Sequence, residues 1–313
     1  MGEAVTPTKV GAQVGRPPAC MSADTFSTAG SLVCGNHRIA LDRPRVMGVL
    51  NVTPDSFSDG GRFLEMHAAL EHARRMIEDG ADIIDIGAES TRPGAAPTSE
   101  TDEVRRIVPL LERLAGAGVP LSVDTRKPAV MRASIAAGAS MINDVAALRA
   151  PGALEALAGA ANPVAVCLMH MRGEPASMQQ HVAYTDVVAE VRGFLAGRAG
   201  ACEAAGIARE RIVVDPGFGF GKTVAHNLIL LRELAQIVAL GYPVLAGLSR
   251  KSTIGALTGR EVDERVSGSL AAALAAVARG AKLVRVHDVR ETVDALKVWN
   301  AIETAALERA ERG

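Results

Sequence analysis

The stretch IIDIGAESTRPGAAPTSETDEVRRIVPLLERLAGAGVPLSVD, residues 83–124, decides how the rest of the chain is read. It opens on a short β-branched run and passes through Ser, Thr, Pro and Gly with no helical period. Over 103–114 it carries charges on one face and Val, Ile and Leu at helical spacing on the other, then closes on a second short apolar run at 121–124. A strand, a turn-rich loop, a helix and a strand in that order make one βα unit and begin the next. Parallel strands require such a crossover.

Outward from this unit the rhythm repeats. Strands are expected at 46–51, 83–87, 121–124, 141–143, 164–170, 212–215, 244–248 and 283–287, with amphipathic helical stretches between them, 64–78 among them. Gly80, Gly138 and Gly280 stand where a helix would stop in the left-handed conformation just before the next strand. Eight such units predict an α/β fold, a (β/α)8 or TIM barrel. Ahead of the first strand, 31–41 holds Gly35-Asn36 between apolar residues, which predicts a β-hairpin covering the barrel's N-terminal end. Residues 1–30, rich in Gly, Pro, Ser, Thr and Ala, are expected to form a disordered tail, leaving 31–313 as a single domain. Beyond the βα rhythm there is no tandem repeat.

Composition narrows the partners. Lys+Arg 34 against Asp+Glu 35 gives a formal net charge of -1 with no long run of like charge, so nucleic acid and membrane surfaces are excluded as expected partners. Aromatic content of 3% speaks against stacking platforms for single strands, though not against binding one small ring. Cys20, Cys34, Cys167 and Cys202 are scattered without a C-x-x-C pair. With no secretory signal and no long apolar run, the expected location is the cytoplasm.

In a barrel of this kind the active site forms at the carboxyl ends of the strands. Those positions hold Asn51; Glu89 with Thr91 and Arg92; Asp124; Asn143 with Asp144; His170; Asp215; Ser249 with Arg250 and Lys251; and Arg285 with His287. Any one Asp, Asn or Ser after a strand reads equally well as a helix cap or turn residue. The set as a whole does not, because converging charges are costly to bury unless paired or matched by a ligand. Arg92, Arg285, Lys251 and the amide of Asn51 suit an anion such as phosphate, with a divalent cation held by oxygen. Asp124, Asn143 and Asp215 suit a flat heterocycle whose edge presents several N–H donors.

Two loops, 53–61 and 90–95, follow the first two strands with turn-forming residues and could close over a ligand. The run Gly217-Phe218-Gly219-Phe220-Gly221-Lys222-Thr223 resembles a phosphate-binding loop. That pattern needs glycine five positions before Gly221, where Pro216 stands, so the glycines are read as a tight turn that aims Phe220. Phe220 reads also as an ordinary core aromatic. His67, His72, His181 and His226 lack metal-ligand spacing. Met169 at a strand end is positioned to wall a ring, and the Ala-rich helix at 267–278 reads as barrel packing first and a dimer surface second.

The motifs Asn51-Val52-Thr53-Pro54-Asp55-Ser56-Phe57-Ser58-Asp59-Gly60-Gly61, Glu89-Ser90-Thr91-Arg92-Pro93-Gly94, Ser122-Val123-Asp124-Thr125, Ile142-Asn143-Asp144, Asp215-Pro216-Gly217-Phe218-Gly219-Phe220-Gly221-Lys222, Ser249-Arg250-Lys251-Ser252 and Arg285-Val286-His287-Asp288 together resemble the bacterial dihydropteroate synthases. The resemblance runs from about Leu32 to the last helix. It implies condensation of 6-hydroxymethyl-7,8-dihydropterin diphosphate with p-aminobenzoate, giving dihydropteroate and pyrophosphate. By the same resemblance Asp124, Asn143, Asp215 and Lys251 would hold the pterin, with Arg285 stacking on it and Met169 beneath. Asn51 would bind Mg2+, and Arg92, Arg285 and His287 would contact the diphosphate. Thr91, Pro93, Phe220 and Ser249 would form the p-aminobenzoate pocket, and Asp124, Lys251 and Arg285 would carry the catalysis. A homodimer through the outer helices and sensitivity to sulfonamides are also implied. Two other readings stay open: a methyltetrahydrofolate-dependent methyltransferase of the same fold, and a pterin-binding paralogue without turnover.

Overall fold

The computed structural model describes residues 30–52, 62–89, 98–173, 178 and 182–311; of residues 62–65 and 306–311 only the backbone is described. The tail expected over 1–30, apart from Gly30, and the loops at 53–61 and 90–95 lie outside the described residues.

The chain begins with β1 (Ser31–Cys34) and β2 (His37–Ala40), then alternates through β3 (Arg45–Asn51), α1 (Arg62–Glu78), β4 (Ile83–Gly87), α2 (Glu100–Leu114), β5 (Leu121–Asp124) and α3 (Pro128–Ala136). It continues with β6 (Met141–Asp144), α4 (Ala153–Ala158), β7 (Ala165–Met169), α5 (Val187–Ala204), β8 (Ile212–Asp215), α6 (Val224–Arg232) and the short α7 (Ala235–Val238). The last turn of the rhythm comprises β9 (Leu245–Ala246), α8 (Ser252–Thr258), α9 (Val266–Val277), β10 (Leu283–Val286) and α10 (Val289–Glu311). Strands pair in parallel in the order β8-β7-β6-β5-β4-β3-β10-β9, and a bridge between Val214 and Val244 completes the ring. This is the eight-fold (β/α) barrel expected from the sequence.

Local chemistry sets the boundaries. α2 starts three residues before the expected 103 because Ser99 caps it, accepting the Asp102 amide at 3.1 Å. Gly80, Gly138 and Gly280 do sit in the left-handed region, at φ +100°, +100° and +97°. One strand is much shorter than the 244–248 expected: β9 spans only Leu245–Ala246. The chain leaves the sheet at Gly247 and turns sharply, with Arg250 held at φ +58°.

Alternation along each strand separates two apolar layers. Outward-facing residues such as Ile84, Ile86, Val123, Ile142, Val166 and Val214 pack against helix side chains that include Ile107, Leu110, Leu111, Val191 and Leu195. Inward, Met47, Ile83, Met141, Ala165, Cys167, Val213, Leu245 and Leu283 meet Leu32, Cys34, Ile39 and Leu41 of the hairpin segment. The hairpin turns at Gly35-Asn36, with Cys34 opposite His37, and the Gly35 amide donates to the Pro163 carbonyl at 3.0 Å. It thus closes the amino end of the barrel, each buried hairpin side chain contributing about 2 kcal/mol. What remains open is the other end.

Candidate active site at the carboxyl ends of the strands

Above the apolar plug the barrel interior becomes polar. Asp85 of β4 is wholly buried, and its Oδ2 accepts from Arg285 Nε of β10 at 2.6 Å and from Asn143 Nδ2 of β6 at 3.0 Å. The same guanidinium donates through Nη2 to Asp124 Oδ2 of β5 at 2.9 Å. Burial works against the charge on Arg285, but Asp85 and Asp124 outweigh it and hold the group above its ordinary range. Asp124 moves the opposite way, to about 7: burial raises it, Arg285 opposes, and Asp85 adds repulsion. On β8, burial also raises Asp215, against the Gly217 amide that donates to its Oδ1 at 2.7 Å and against Lys251. Asp124, Asn143, Asp215 and Arg285 are therefore neighbours in one interior. The space between Asp215 and Arg285 is kept open by Gly247, where an added Cβ would lie 3.9 Å from Asp215 Oδ2 and 4.0 Å from Arg285 Cβ.

The glycine-rich turn after β8 is docked on the end of β7. Gly217 has φ +69°, and a Cβ there would fall 1.9 Å from the His170 carbonyl oxygen, so no side chain fits. Lys222 is buried and points into the protein. Its Nζ donates to the carbonyls of Gly217 (2.9 Å), Phe220 (3.1 Å) and His170 (3.3 Å) and lies 3.0 Å from His170 Nδ1. Burial, reinforced by Lys222 and Arg172, pulls His170 down to about 3, so the ring is neutral and can accept. Burial likewise brings Lys222 down to about 7. The turn so fixed presents Phe220 beside the cluster of Val145, Met169, Met171 and Met178. Lys251 Nζ stands 4.1 Å from the centre of the Phe220 ring, a cation over an aromatic face. Burial lowers Lys251 to about 8.

A third group lines the same mouth. Ser249 Oγ lies 3.0 Å from His287 Nδ1 and accepts the His287 amide at 3.3 Å. Burial, then Arg285 and Arg250, pull His287 down to about 4, leaving it neutral. Arg250 turns away to pair with Asp288, its Nε 3.1 Å from Oδ2. Asn51 ends β3 in an exposed position. A Cβ on Gly87 would lie 3.7 Å from Asn51 Oδ1 and 3.6 Å from Asp124 Cβ, so the two side chains flank that glycine.

Thr91, Arg92 and Pro93 lie outside the described residues. Among the described residues that precede and follow them, Lys127 Nζ contacts Glu89 Oε2 at 2.9 Å and also pairs with the buried Glu103, while Thr125 Oγ1 donates to Glu103 Oε2 at 3.0 Å. Asp144, counted with the mouth residues, serves the backbone instead, accepting the amides of Ala146 and Leu148, each at 2.7 Å.

Comparison with known proteins bears on this interior directly. The family model described as pterin binding enzyme matches residues 47–287. The dihydropteroate synthase of Neisseria meningitidis serogroup C is 54% identical over 272 residues, covering 86% of this chain and 96% of that protein. The chain belongs to the dihydropteroate synthase family of pterin-binding enzymes. A solved structure of the Xanthomonas albilineans dihydropteroate synthase with 4-aminobenzoic acid superposes with TM-score 0.82 at 56% identity, covering 88% of this chain and 99% of that one. Another, of dihydropteroate synthase from the same organism in complex with 7,8-dihydropteroate, gives TM-score 0.78 at 51% identity, with 88% and 99% covered.

Three elements of this pterin-binding enzyme were not read from its sequence. Asp85 sits inside a strand instead of at its end. Lys222 stands in a family motif but has no role in the sequence reading, yet it is what holds that turn. Glu103 opens the segment 103–114 whose charges are expected on one face, and it is buried against Lys127 because the α2 face carrying it packs on the loop after β5. For Asp85 a signal existed: it stands two residues from Gly87 and two from Ile83, which puts all three on the inward face.

Proposed function

We propose that this enzyme condenses 6-hydroxymethyl-7,8-dihydropterin diphosphate with p-aminobenzoate to form 7,8-dihydropteroate and release pyrophosphate. The observation that carries the reading is the buried ladder Asn143, Asp85, Arg285, Asp124, which meets Asp215 and Lys251 in a single interior. Its acceptors match the donor edge of an amino-pyrimidinone, and its cations suit the charge that a leaving diphosphate would gather.

The chemistry follows from where charge develops. As the bond to pyrophosphate breaks, negative charge builds on the departing oxygen and positive charge on the pterin methylene. Arg285 and Lys251, with Arg92 of the second loop, would stabilise the former; Asp124 and Asp215 would stabilise the latter. Phe220 and Ser249, with Thr91 and Pro93, would place the aniline nitrogen, whose lone pair captures the cation to form the C–N bond; the proton then lost from that nitrogen passes to the released pyrophosphate or to water. No Ser, Cys or His nucleophile is required.

The resemblance implies Mg2+, and Asn51 suits it. An uncharged amide oxygen, exposed at the mouth and next to Asp124, is the kind of single protein donor that Mg2+ accepts when phosphate oxygens and water fill its octahedron. Bound there, Mg2+ would neutralise charge on the diphosphate. Exposed Leu228 and Ile229 of α6 and Leu257 of α8 support a homodimer formed through outer helices. No helix among the described residues is long and apolar enough to cross a membrane. With Cys34, Cys167 and Cys202 buried and unpaired, this supports a cytoplasmic enzyme.

The deciding experiment supplies purified protein with the pterin diphosphate and Mg2+, with and without p-aminobenzoate, and measures pyrophosphate and dihydropteroate. Formation of both is expected. Tight pterin binding with no pyrophosphate would replace this reading with a non-catalytic pterin-binding protein.

A further inference from the structure

Asp85 occupies the third position of β4, inside the barrel and away from solvent, where an aliphatic side chain would continue the apolar layer formed by Ile83 below it. All its bonding runs through one oxygen. Oδ2 accepts from Arg285 Nε at 2.6 Å and Asn143 Nδ2 at 3.0 Å, while Oδ1 has no partner among the described residues. We propose that Asp85 is a positioning residue that determines which atom of the Asn143 amide and which edge of the Arg285 guanidinium face the pterin. The proposal rests on the functional reading above and adds the residue that gives the ring site its polarity.

Asp85 Oδ2 already accepts from the Arg285 guanidinium and meets Asn143 as an acceptor, so Asn143 approaches Asp85 through its nitrogen. That leaves Asn143 Oδ1, an acceptor, as the atom available to a ligand, complementary to a ring edge of N–H groups. Turned over, the amide would set oxygen against oxygen at Asp85 and present its own donors to a donor-rich ring. At Arg285 the same oxygen anchors Nε, so the guanidinium plane is pinned and its Nη2 reaches Asp124 at 2.9 Å. Among the described residues Asp85 is the side-chain partner of Asn143, and with Asp124 it is the partner of Arg285. Replacing it frees the amide of Asn143 and removes one of two holds on Arg285. The p-aminobenzoate side, built on Phe220 and Ser249, has no bond to Asp85.

The test is a series of Asp85→Leu, Asp85→Asn and Asn143→Ala in the full chain. Calorimetric Kd for 6-hydroxymethyl-7,8-dihydropterin diphosphate with Mg2+ is measured beside KM for p-aminobenzoate, with thermal unfolding to confirm the fold. Asp85→Leu should weaken pterin binding at least tenfold and leave the p-aminobenzoate KM within twofold. Asp85→Asn, whose amide oxygen can still accept both bonds, should recover most of that loss. Asp85→Leu combined with Asn143→Ala should cost less than the product of the two separate losses, because one acts through the other. The proposal is overturned if folded Asp85→Leu binds the pterin within twofold of wild type, if both substrates weaken alike, or if Asp85→Asn is as damaging as leucine. Should the leucine variant not fold, Asp85→Ser, smaller and still an acceptor, is judged by the same split between substrates. Wild-type protein that binds the pterin but forms no dihydropteroate would defeat the functional reading alone, since the binding series still judges Asp85.

Discussion

Replacing Lys222 with methionine tests how the Phe220 turn is held. The ammonium serves three backbone carbonyls at 2.9, 3.1 and 3.3 Å and His170 Nδ1 at 3.0 Å, all in a buried setting. Methionine keeps most of the side-chain volume, so the cavity term is small and the loss is that of the three hydrogen bonds an ammonium can donate among these four acceptors. Hydrogen bonds to a charged group are worth about 1.5–3 kcal/mol each, and the desolvation of the ammonium offsets a large part of their sum. A net loss of about 3 kcal/mol is expected at pH 6, in line with breaking other buried charged networks. Lys222 is lowered from 10.5 to about 7 in the fold, so between those values the unfolded chain binds the extra proton. Wild-type stability should then rise with pH from about 7 towards 10.5 through this group, and the variant should lack that component, widening the gap. Urea unfolding followed by circular dichroism at pH 6 and pH 9 measures both quantities. Because the turn aims Phe220 beneath Lys251, KM for p-aminobenzoate should rise about tenfold, by analogy with the loss of a cation–aromatic contact worth ~1–2 kcal/mol. A variant with wild-type urea midpoints at both pH values and an unchanged KM would refute the reasoning.

Gly217→Ala should be more damaging than its single methyl suggests. The Cβ would meet the His170 oxygen at 1.9 Å in a left-handed backbone, so a loss above about 2 kcal/mol is expected in thermal unfolding, together with loss of dihydropteroate formation. Lys251→Ala should lower turnover by at least about an order of magnitude, measured as pyrophosphate release, since its Nζ stands over Phe220 and interacts with Asp215. Near-normal turnover would remove Lys251 from the mechanism. Sulfonamides, which imitate p-aminobenzoate, should inhibit in competition with it in steady-state assays. Inhibition independent of p-aminobenzoate concentration would count against the pocket at Phe220 and Ser249.

Strand ends were legible because parallel strands alternate with helices whose start and stop residues are chemically distinctive. Ile83–Gly87 and Leu121–Asp124 appear where the sequence places them, the first followed by Ser and Thr and the second ending on Asp. β9 was overread because an apolar run does not reveal where its hydrogen bonding ends, and Gly247 breaks it early. Strand interiors were harder for a related reason: both faces of a barrel strand are buried, so nearly every residue is apolar and the lining face does not stand out. Asp85 is the exception: it is the one charged residue of Ile83–Gly87 and alternation from Gly87 turns it inward, but it stands inside the strand and not at the end where a site is sought. Lys222 was obscured differently, by a local pattern associated with phosphate, when its partners are carbonyls brought together by the docking of the turn on β7. Glu103 depended on Lys127, twenty-four positions further along, and no helical periodicity carries that contact.

The hairpin at the amino end has a consequence for traffic. By stopping one end of the barrel with Leu32, Cys34, Ile39 and Leu41, it turns the barrel into a blind tube with a single doorway. Under the proposed chemistry the pterin, which reaches down to the Asp85 level, would have to enter while the outer position beside Phe220 and Ser249 is clear. A molecule lodged in that outer position would then act as a cork, detaining whatever lies beneath it. The joined product would leave whole, by the way its halves came in.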